Sequence, residues 1–289
     1  MKRRVFCPTE IIFACTSACN LRCGHCFVNR EARKLDINQA VSFLNGCVKS
    51  GSSVERVGFT GGEPFLYMEF LLELTRATVA NDLLFDQIMT NGDWWHDEQE
   101  LRDKLQALYN AGYDGKIGLS WDEYHGQSKE RMITFIKTVQ EIFGKESINI
   151  QRVATSTALR EPQGPQGALN NIPVYTLPRT YPSENPLAWK SKRWFKEDYC
   201  EGPGNILYVH ADGNIAPCCG FANENPALFI GTITDSYEKI MQNAANNKMV
   251  QLCFTKGLSL YRRFKKFPGK TSDICTFCDF VCKQKKDRT

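Results

Sequence analysis

The sequence predicts an α/β protein, a partial (β/α)6 TIM-like barrel followed by a small C-terminal region of cysteine-rich β-hairpin and helix. Three observations predict it. Short apolar runs alternate with amphipathic stretches through about residue 180, the pattern of parallel βα units. Polar or Gly-rich tips follow the runs, where such folds place ligands. From Tyr199 the texture changes to a hairpin pattern and then a dense set of cysteines. Six units fall short of the eight that close a barrel.

Ile11–Ala14 reads as the first strand, running into the loop Cys15–Arg30. Asp36 opens a helix to about Lys49, with Val41, Phe43, Leu44 and Cys47 near one face, and Cys47 reads as a small buried hydrophobe. Val54–Phe59 is the second strand, ending in Thr60-Gly61-Gly62-Glu63-Pro64. Phe65–Val79 is helical, and Leu83–Met89 is the third strand, ending in Thr90-Asn91-Gly92. Asp97–Gly112 is helical, and Lys116–Leu119 is the fourth strand, leading into Ser120-Trp121-Asp122-Glu123-Tyr124-His125. Lys129–Phe143 is helical, and Ile148–Val153 is the fifth strand, ending in Ala154-Thr155-Ser156. A Pro/Gly/Gln-rich loop, Glu161–Gly167, leads to a sixth strand at Ile172–Leu177. Arg179–Glu197 has no clear period and reads as a connector. Asn205–His210 and Ile215-Ala216-Pro217 flank Asp212-Gly213, a β-hairpin signal, and Asp235–Gln242 is a short helix. The expected domains are residues 1–180, a connector at 181–198, and residues 199–289.

With 289 residues, 42% of them hydrophobic, the chain can bury one large core or a core plus an appendage. With a net charge of +4 no strong field argues for a nucleic-acid partner, and none is expected. The basic groups Arg262-Arg263, Lys265-Lys266 and Lys283–Lys286 read as a solvated tail, with contact to an acidic peptide or RNA as the alternative. No apolar stretch approaches the ~20 residues of a membrane span, and no secretory leader is evident. Thirteen cysteines without an export signal favour metal ligation in a reducing compartment, so a cytoplasmic location is expected.

Cys19, Cys23 and Cys26 are spaced C-x3-C-x2-C just after the first strand. Thiolates on one short turn can hold three irons of a [4Fe–4S] cube and leave the fourth without a protein ligand. The competing reading is a tetrahedral zinc site, with Cys15 or His25 as fourth ligand. Together with Gly61-Gly62-Glu63-Pro64 after the second strand, the motif resembles the radical S-adenosylmethionine (radical SAM) superfamily. The resemblance covers roughly residues 9–155 and, more weakly, 197–289.

That resemblance implies a [4Fe–4S] cluster on Cys19, Cys23 and Cys26, with S-adenosylmethionine (SAM) chelating the open iron. Reductive cleavage of SAM then gives a 5′-deoxyadenosyl radical that takes a hydrogen atom from substrate. Gly61, Gly62, Glu63 and Pro64 are expected at the methionine amino group, with Glu63 opposite the ammonium. Thr90 and Asn91 are expected at the carboxylate or ribose, as is Ser120, and Asp122 is expected at the cofactor or substrate. His25 is expected to pack over the cluster or adenine, and Val153 and Thr155 sit where the adenine pocket would be. Asp122, Tyr124 and His125 either relay a proton or brace the barrel mouth, and the sequence leaves both open. An electron donor such as a ferredoxin or flavodoxin is implied, and the chain is expected as a monomer or weak homodimer.

Cys200, Gly213 and Cys218 follow the pattern C-x12-G-x4-C, and Cys275-x2-Cys278 comes later. This resembles the auxiliary-cluster domains of many radical SAM enzymes, SPASM in the two-cluster form and Twitch in the one-cluster form. The shortened C-x2-C-x3-C run favours one auxiliary cluster, expected as [4Fe–4S] on Cys200, Cys218, Cys275 and Cys278, with Cys282 as alternate ligand. A structural zinc on the same thiols is the competing reading. Cys219 cannot easily share the cluster of Cys218, because neighbouring side chains on a strand point apart. Cys219 and Cys253 are candidate hydrogen-atom donors, or else packed thiols.

The leading expectation is oxidative modification or cross-linking of a peptide or peptide-like substrate. Epimerisation with a cysteine hydrogen donor and dehydrogenation of a small aminocyclitol-type substrate are the alternatives. A zinc-holding binding module and a transfer-RNA modifier fit the motifs less well.

Overall fold

In a computed structural model of the chain, residues 5–28, 31–153, 171–262 and 266–286 are described. Thr155 with its strand tip, the loop Glu161–Gly167, and Arg263 and Lys265 of the basic tail lie outside the described residues. The chain divides into two compact units. One comprises Phe13–Val41 and Arg56–Arg179; the other comprises Met1–Ile12, Ser42–Glu55 and Thr180–Thr289.

The first unit is built on β1 (Glu10–Ala14, which starts in the other unit), β2 (Arg56–Thr60), β3 (Leu84–Thr90), β4 (Lys116–Ser120), β5 (Ile148–Val153) and β6 (Val174–Leu177). They lie in the order β6-β5-β4-β3-β2-β1, an unclosed sheet. The pairs from β2 to β6 are parallel, with Ile88 opposite Ile117 and Ile117 opposite Ile148. All six expected strands form, with no end displaced by more than two residues. Helices α1 (Ile37–Lys49), α2 (Met68–Ala80), α3 (Glu98–Asn110) and α4 (Lys129–Phe143) alternate with the strands. Val57, Phe59, Ile88, Ile117 and Leu119 are fully buried, as are Phe70, Leu105 and Phe135 from the helices.

Local chemistry sets the ends of these elements. Asp97 caps α3 by accepting from the Glu100 N–H (2.8 Å), and Ser128 caps α4 by accepting from the Arg131 N–H (3.2 Å). Glu63 caps a 3-10 turn at Pro64–Tyr67, with Pro64 in its first turn, so α2 starts at Met68 rather than at the expected Phe65.

In the second unit the expected hairpin forms from β7 (Gly204–Val209) and β8 (Asn214–Cys218), antiparallel with Tyr208 opposite Ala216. β9 (Gly231–Thr232) adds to β8. Helix α5 (Tyr237–Asn246) begins later than expected because Ser236 is its cap, while Asp235 accepts from the Thr232 N–H of the preceding turn. Short helices α6 (Lys248–Gln251) and α7 (Leu258–Tyr261) flank a π-helical turn at Leu252–Lys256, and α8 (Ile274–Lys286) follows.

Two sequence expectations change here. The region read as a connector belongs to the core of this unit. Trp189 and Phe195 are buried, their rings 5.1 Å from Phe280 and 5.0 Å from Phe277. The N-terminal segment also groups with this unit rather than with the barrel. Cys7 and Asn205 exchange two hydrogen bonds (2.7 and 2.9 Å), and Phe6 packs 5.2 Å from Phe254. Among the described residues, no helix is long and apolar enough to cross a membrane.

Candidate active site

The loop after β1 carries Cys19, Cys23 and Cys26, which are partly to fully exposed, whereas Cys15 is sealed in the core. Its Sγ donates to the Phe13 carbonyl (3.7 Å) inside the core, and burial pushes the thiol well up. A turn between Cys23 O and Cys26 N (3.2 Å) shapes the loop, and Cys19 Sγ accepts from the Leu21 N–H (3.4 Å) and from Asn91 Nδ2 (3.6 Å).

The Gly-Gly-Glu segment lies directly against this loop. Gly62 N donates to Thr16 O (2.6 Å) and Glu63 N to Ala18 O (2.8 Å). A Cβ at Gly61 would lie 2.4 Å from Thr16 O, and one at Gly62 2.2 Å from Ala18 O. The glycines are therefore needed to seat the cysteine loop on the end of β2, a backbone-to-backbone approach that no side chain permits. Sequence reasoning had given them only to the cofactor.

Glu63 is fully buried and turned into the protein. Its carboxylate accepts from Phe65 N (3.1 Å), Thr90 Oγ1 (2.8 Å) and Asn91 N (2.8 Å). Burial raises its pKa to about 7, because desolvation outweighs those three donors. Thr90 also accepts from Gly92 N (3.0 Å), so its hydroxyl is fully engaged. Asn91 ties β3 to the cysteine loop through Asn20 Oδ1 (2.9 Å) and accepts from Asp93 N (2.8 Å). Thr90 and Asn91 thus hold protein groups where the sequence suggested cofactor contacts. Asn20 was missed, since nothing in its spacing marks it.

At the end of β4 the Ser120 hydroxyl makes no hydrogen bond among the described residues. Gln127, also missed, clamps the strand end by donating to Ser120 O (2.9 Å) and Asn91 O (2.5 Å). Asp122 Oδ1 accepts from His125 Nδ1 (2.7 Å) and Tyr124 N (2.9 Å), and Oδ2 accepts from Val153 N (2.9 Å). Burial works to raise the Asp122 pKa, but the His125 bond and the backbone donors prevail and lower it. The His25 ring stands 5.0 Å from Tyr124 and 5.1 Å from His125, and its buried Nδ1 has no hydrogen-bond partner. Burial first, then His125, lowers the His25 pKa. Arg179, beyond β6, donates to the Tyr124 hydroxyl (3.1 Å). The structure therefore brings His25, Asp122, Tyr124 and His125 into one group.

The second thiol set is largely buried. Cys200, Cys218, Cys253, Cys275 and Cys278 line one pocket whose other walls are apolar, among them Pro203, Leu228 and Phe254. Burial pushes the thiols of Cys200, Cys218 and Cys275 up, so their charged forms need a compensating cation. Cys253 and Cys278 lie 3.8 Å apart, far beyond a disulfide bond, and none of the thirteen cysteines is in a disulfide. A Cβ at Gly204 would lie 2.7 Å from Cys200 Sγ, and one at Gly220 2.9 Å from Cys275 Sγ, so the backbone leaves the sulfurs room. Cys282 is buried on α8 and hydrogen-bonded to Cys278, but does not line the pocket. Cys253, a candidate hydrogen donor from sequence, is 3% exposed within this thiol group, whereas Cys219 is exposed.

A three-thiol loop on an open βα sheet and a largely buried multi-thiol pocket make two thiolate sites, of a kind that holds iron–sulfur clusters or zinc. The Radical SAM superfamily model matches residues 13–147, and the SPASM iron-sulfur cluster-binding domain matches residues 200–279. The chain belongs to the radical SAM superfamily and carries a SPASM-type region, so it is an enzyme. It is 21% identical to YydG of Bacillus subtilis (strain 168), a protein named for peptide biosynthesis, over 91% of this chain and 88% of YydG. In fold it resembles BtrN in complex with AdoMet and 2-DOIA (TM-score 0.57, 18% identity, 94% of this chain and 96% of BtrN). It also resembles anSMEcpe with bound AdoMet and the Cp18Cys peptide (TM-score 0.56, 18% identity, 84% of this chain and 83% of anSMEcpe). The family's cofactors are a [4Fe–4S] cluster with SAM and an auxiliary iron–sulfur cluster, and both thiol sets fit them.

Proposed function

We propose that the chain modifies a peptide by removing a hydrogen atom from an α-carbon, and that Cys219 returns a hydrogen from the other face, inverting the centre. One observation carries this reading over the oxidation expected from sequence. Of the seven C-terminal cysteines, Cys219 alone is fully exposed, and it adjoins Cys218 of the apolar pocket. A hydrogen donor must be reachable; of the pocket thiols Cys218, Cys253 and Cys278 are buried, and Cys200 and Cys275 are only partly exposed.

Cys19, Cys23 and Cys26 hold the first cluster in this proposal, and Cys200, Cys218, Cys275 and Cys278 the auxiliary one. When bound, cluster and SAM supply a 5′-deoxyadenosyl radical. Gly61, Gly62 and Glu63 fix the loop that positions the cofactor, and Ser120 offers it a hydroxyl. Asp122 and the His25–Tyr124–His125 rings shape the substrate side. The atoms balance as follows. The substrate carbon loses a hydrogen atom to form 5′-deoxyadenosine and regains one from the Cys219 S–H. The thiyl left behind needs one electron and one proton, supplied from an external donor such as a ferredoxin or flavodoxin. YydG's name and the peptide bound to anSMEcpe support a peptide substrate, while BtrN with 2-DOIA keeps a small molecule as the alternative.

A second reading, net oxidation or cross-linking, is favoured by the buried thiol pocket, because an auxiliary cluster suits an electron acceptor. The test is anaerobic incubation of a synthetic peptide library with SAM and reductant in deuterated water. Epimerisation gives a product of unchanged composition carrying one solvent deuterium. In Cys219→Ala that product disappears while 5′-deoxyadenosine still forms. Loss of two hydrogens from the peptide would instead establish oxidation.

A further inference from the structure

The family's cysteine spacing accounts for Cys200, Cys218, Cys275 and Cys278 and gives no place to Cys253. The structure nevertheless puts Cys253 in the same pocket wall. It stands on the π-helical turn Leu252–Lys256, a rare distortion that re-aims a side chain within a helical segment. Its carbonyl accepts from Cys200 N (3.0 Å), so its backbone is tied to the loop of another pocket cysteine. Its Sγ lies 3.8 Å from Cys278 Sγ. That is hydrogen-bonding distance for an S–H donor and a sulfur acceptor. Ligands to different irons of a cluster have no reason to approach so closely. Both sulfurs therefore reach one corner.

We infer that Cys253 is a second thiol at the corner of the auxiliary cluster held by Cys278, one binding iron as thiolate and the other donating an S–H hydrogen bond to it. Either can take the corner when the other is lost. A donor to a ligand sulfur favours the more negative, reduced cluster and so raises its potential. Cys253 is thus a positioning and tuning residue rather than a source of hydrogen for substrate. This rests on the auxiliary cluster and not on the proposed substrate, so the two fail separately.

Full-length Cys253→Ala, Cys278→Ala and the double variant are reconstituted anaerobically with iron and sulfide, and folding is checked by circular dichroism. Should an alanine variant not fold, serine replaces it at the same position. Both single variants are expected to keep about eight irons per chain and the double variant about four. In Cys253→Ala the midpoint of the auxiliary signal, followed by EPR redox titration, shifts to more negative potential. A fall to about four irons in either single variant overturns the inference. So does an unmoved midpoint in Cys253→Ala, or a double variant that keeps both clusters, which would point to Cys282.

Discussion

The two thiol sets of this molecule are built on opposite plans. Cys19, Cys23 and Cys26 sit on a loop in partly to fully exposed positions, with N–H donors on the Cys19 sulfur and a glycine-lined backbone seat beneath. The C-terminal thiols sit among apolar walls, crowded and desolvated. An iron that must meet SAM requires an approach from outside. An iron that only holds structure or accepts an electron is better closed, since burial and sulfur hydrogen bonds set its potential. A loop with one exposed and two partly exposed thiols, and an apolar pocket whose five thiols are buried or partly buried, thus suit two tasks with one chemistry.

The largest effect should come from emptying the open site. Cys23→Ala is expected to abolish 5′-deoxyadenosine formation, by at least about a thousandfold in a chromatographic assay, since no neighbouring thiol replaces it. Retained cleavage would erase the contrast between the sites. Cys200→Ala tests the closed site. Iron should fall from about eight to about four per chain, SAM cleavage should stay within about twofold of wild type, and peptide modification should drop about 100-fold. Equal loss of both reactions would show that the two sites are not separable.

Gly62→Ala sharpens the contrast at the backbone. The new Cβ would meet Ala18 O at 2.2 Å, a backbone atom that cannot swing away. A stability loss of about 3 kcal/mol by chemical denaturation is expected, together with loss of SAM binding. A stable variant that still binds SAM would show that the loop does not need its glycine seat.

Much of this was legible in sequence because it is local. The three-cysteine spacing, the Gly-Gly-Glu-Pro tip and the alternation of strands with helices each lie within a few residues, and β1 to β6 form where expected. What was not legible depends on distant partners. Trp189 and Phe195 look like connector residues until Phe277 and Phe280 from α8 are placed beside them. Cys253 has no spacing signal, and only a π turn brings it to Cys278. Likewise Glu63 is an obvious motif residue, but its inward direction follows from Thr90 and Asn91 some 27 and 28 positions later.

Glu63 supplies a test with a definite sign. Its carboxyl titrates at 4.5 ordinarily and at about 7 in the folded chain. Between those values the folded state keeps a proton that the unfolded state releases, so folding weakens as pH rises through this window. For the cofactor-free protein the decline is on the order of 3 kcal/mol. Glu63→Gln should flatten that part of the stability–pH curve measured by denaturant titration. A parallel curve for the variant would mean that Glu63 stays ionised and has a solvent or cation partner.

The smallest effect separates two hydroxyls at neighbouring strand ends, a compact version of the open and closed thiols. Thr90 Oγ1 bonds Glu63 and Gly92 and is 2% exposed, whereas the Ser120 hydroxyl has no partner among the described residues. Removing the Ser120 hydroxyl should therefore leave the melting temperature where it was. If it meets SAM, Ser120→Ala raises the KM for SAM by about three- to tenfold, the cost of one hydrogen bond. Thr90→Val should do the reverse, losing about 1–3 kcal/mol of stability because a buried carboxylate is left short of a donor. If Ser120→Ala lowers stability and leaves the KM unchanged, Ser120 belongs with the closed groups, and the open face of the site is narrower than its geometry implies.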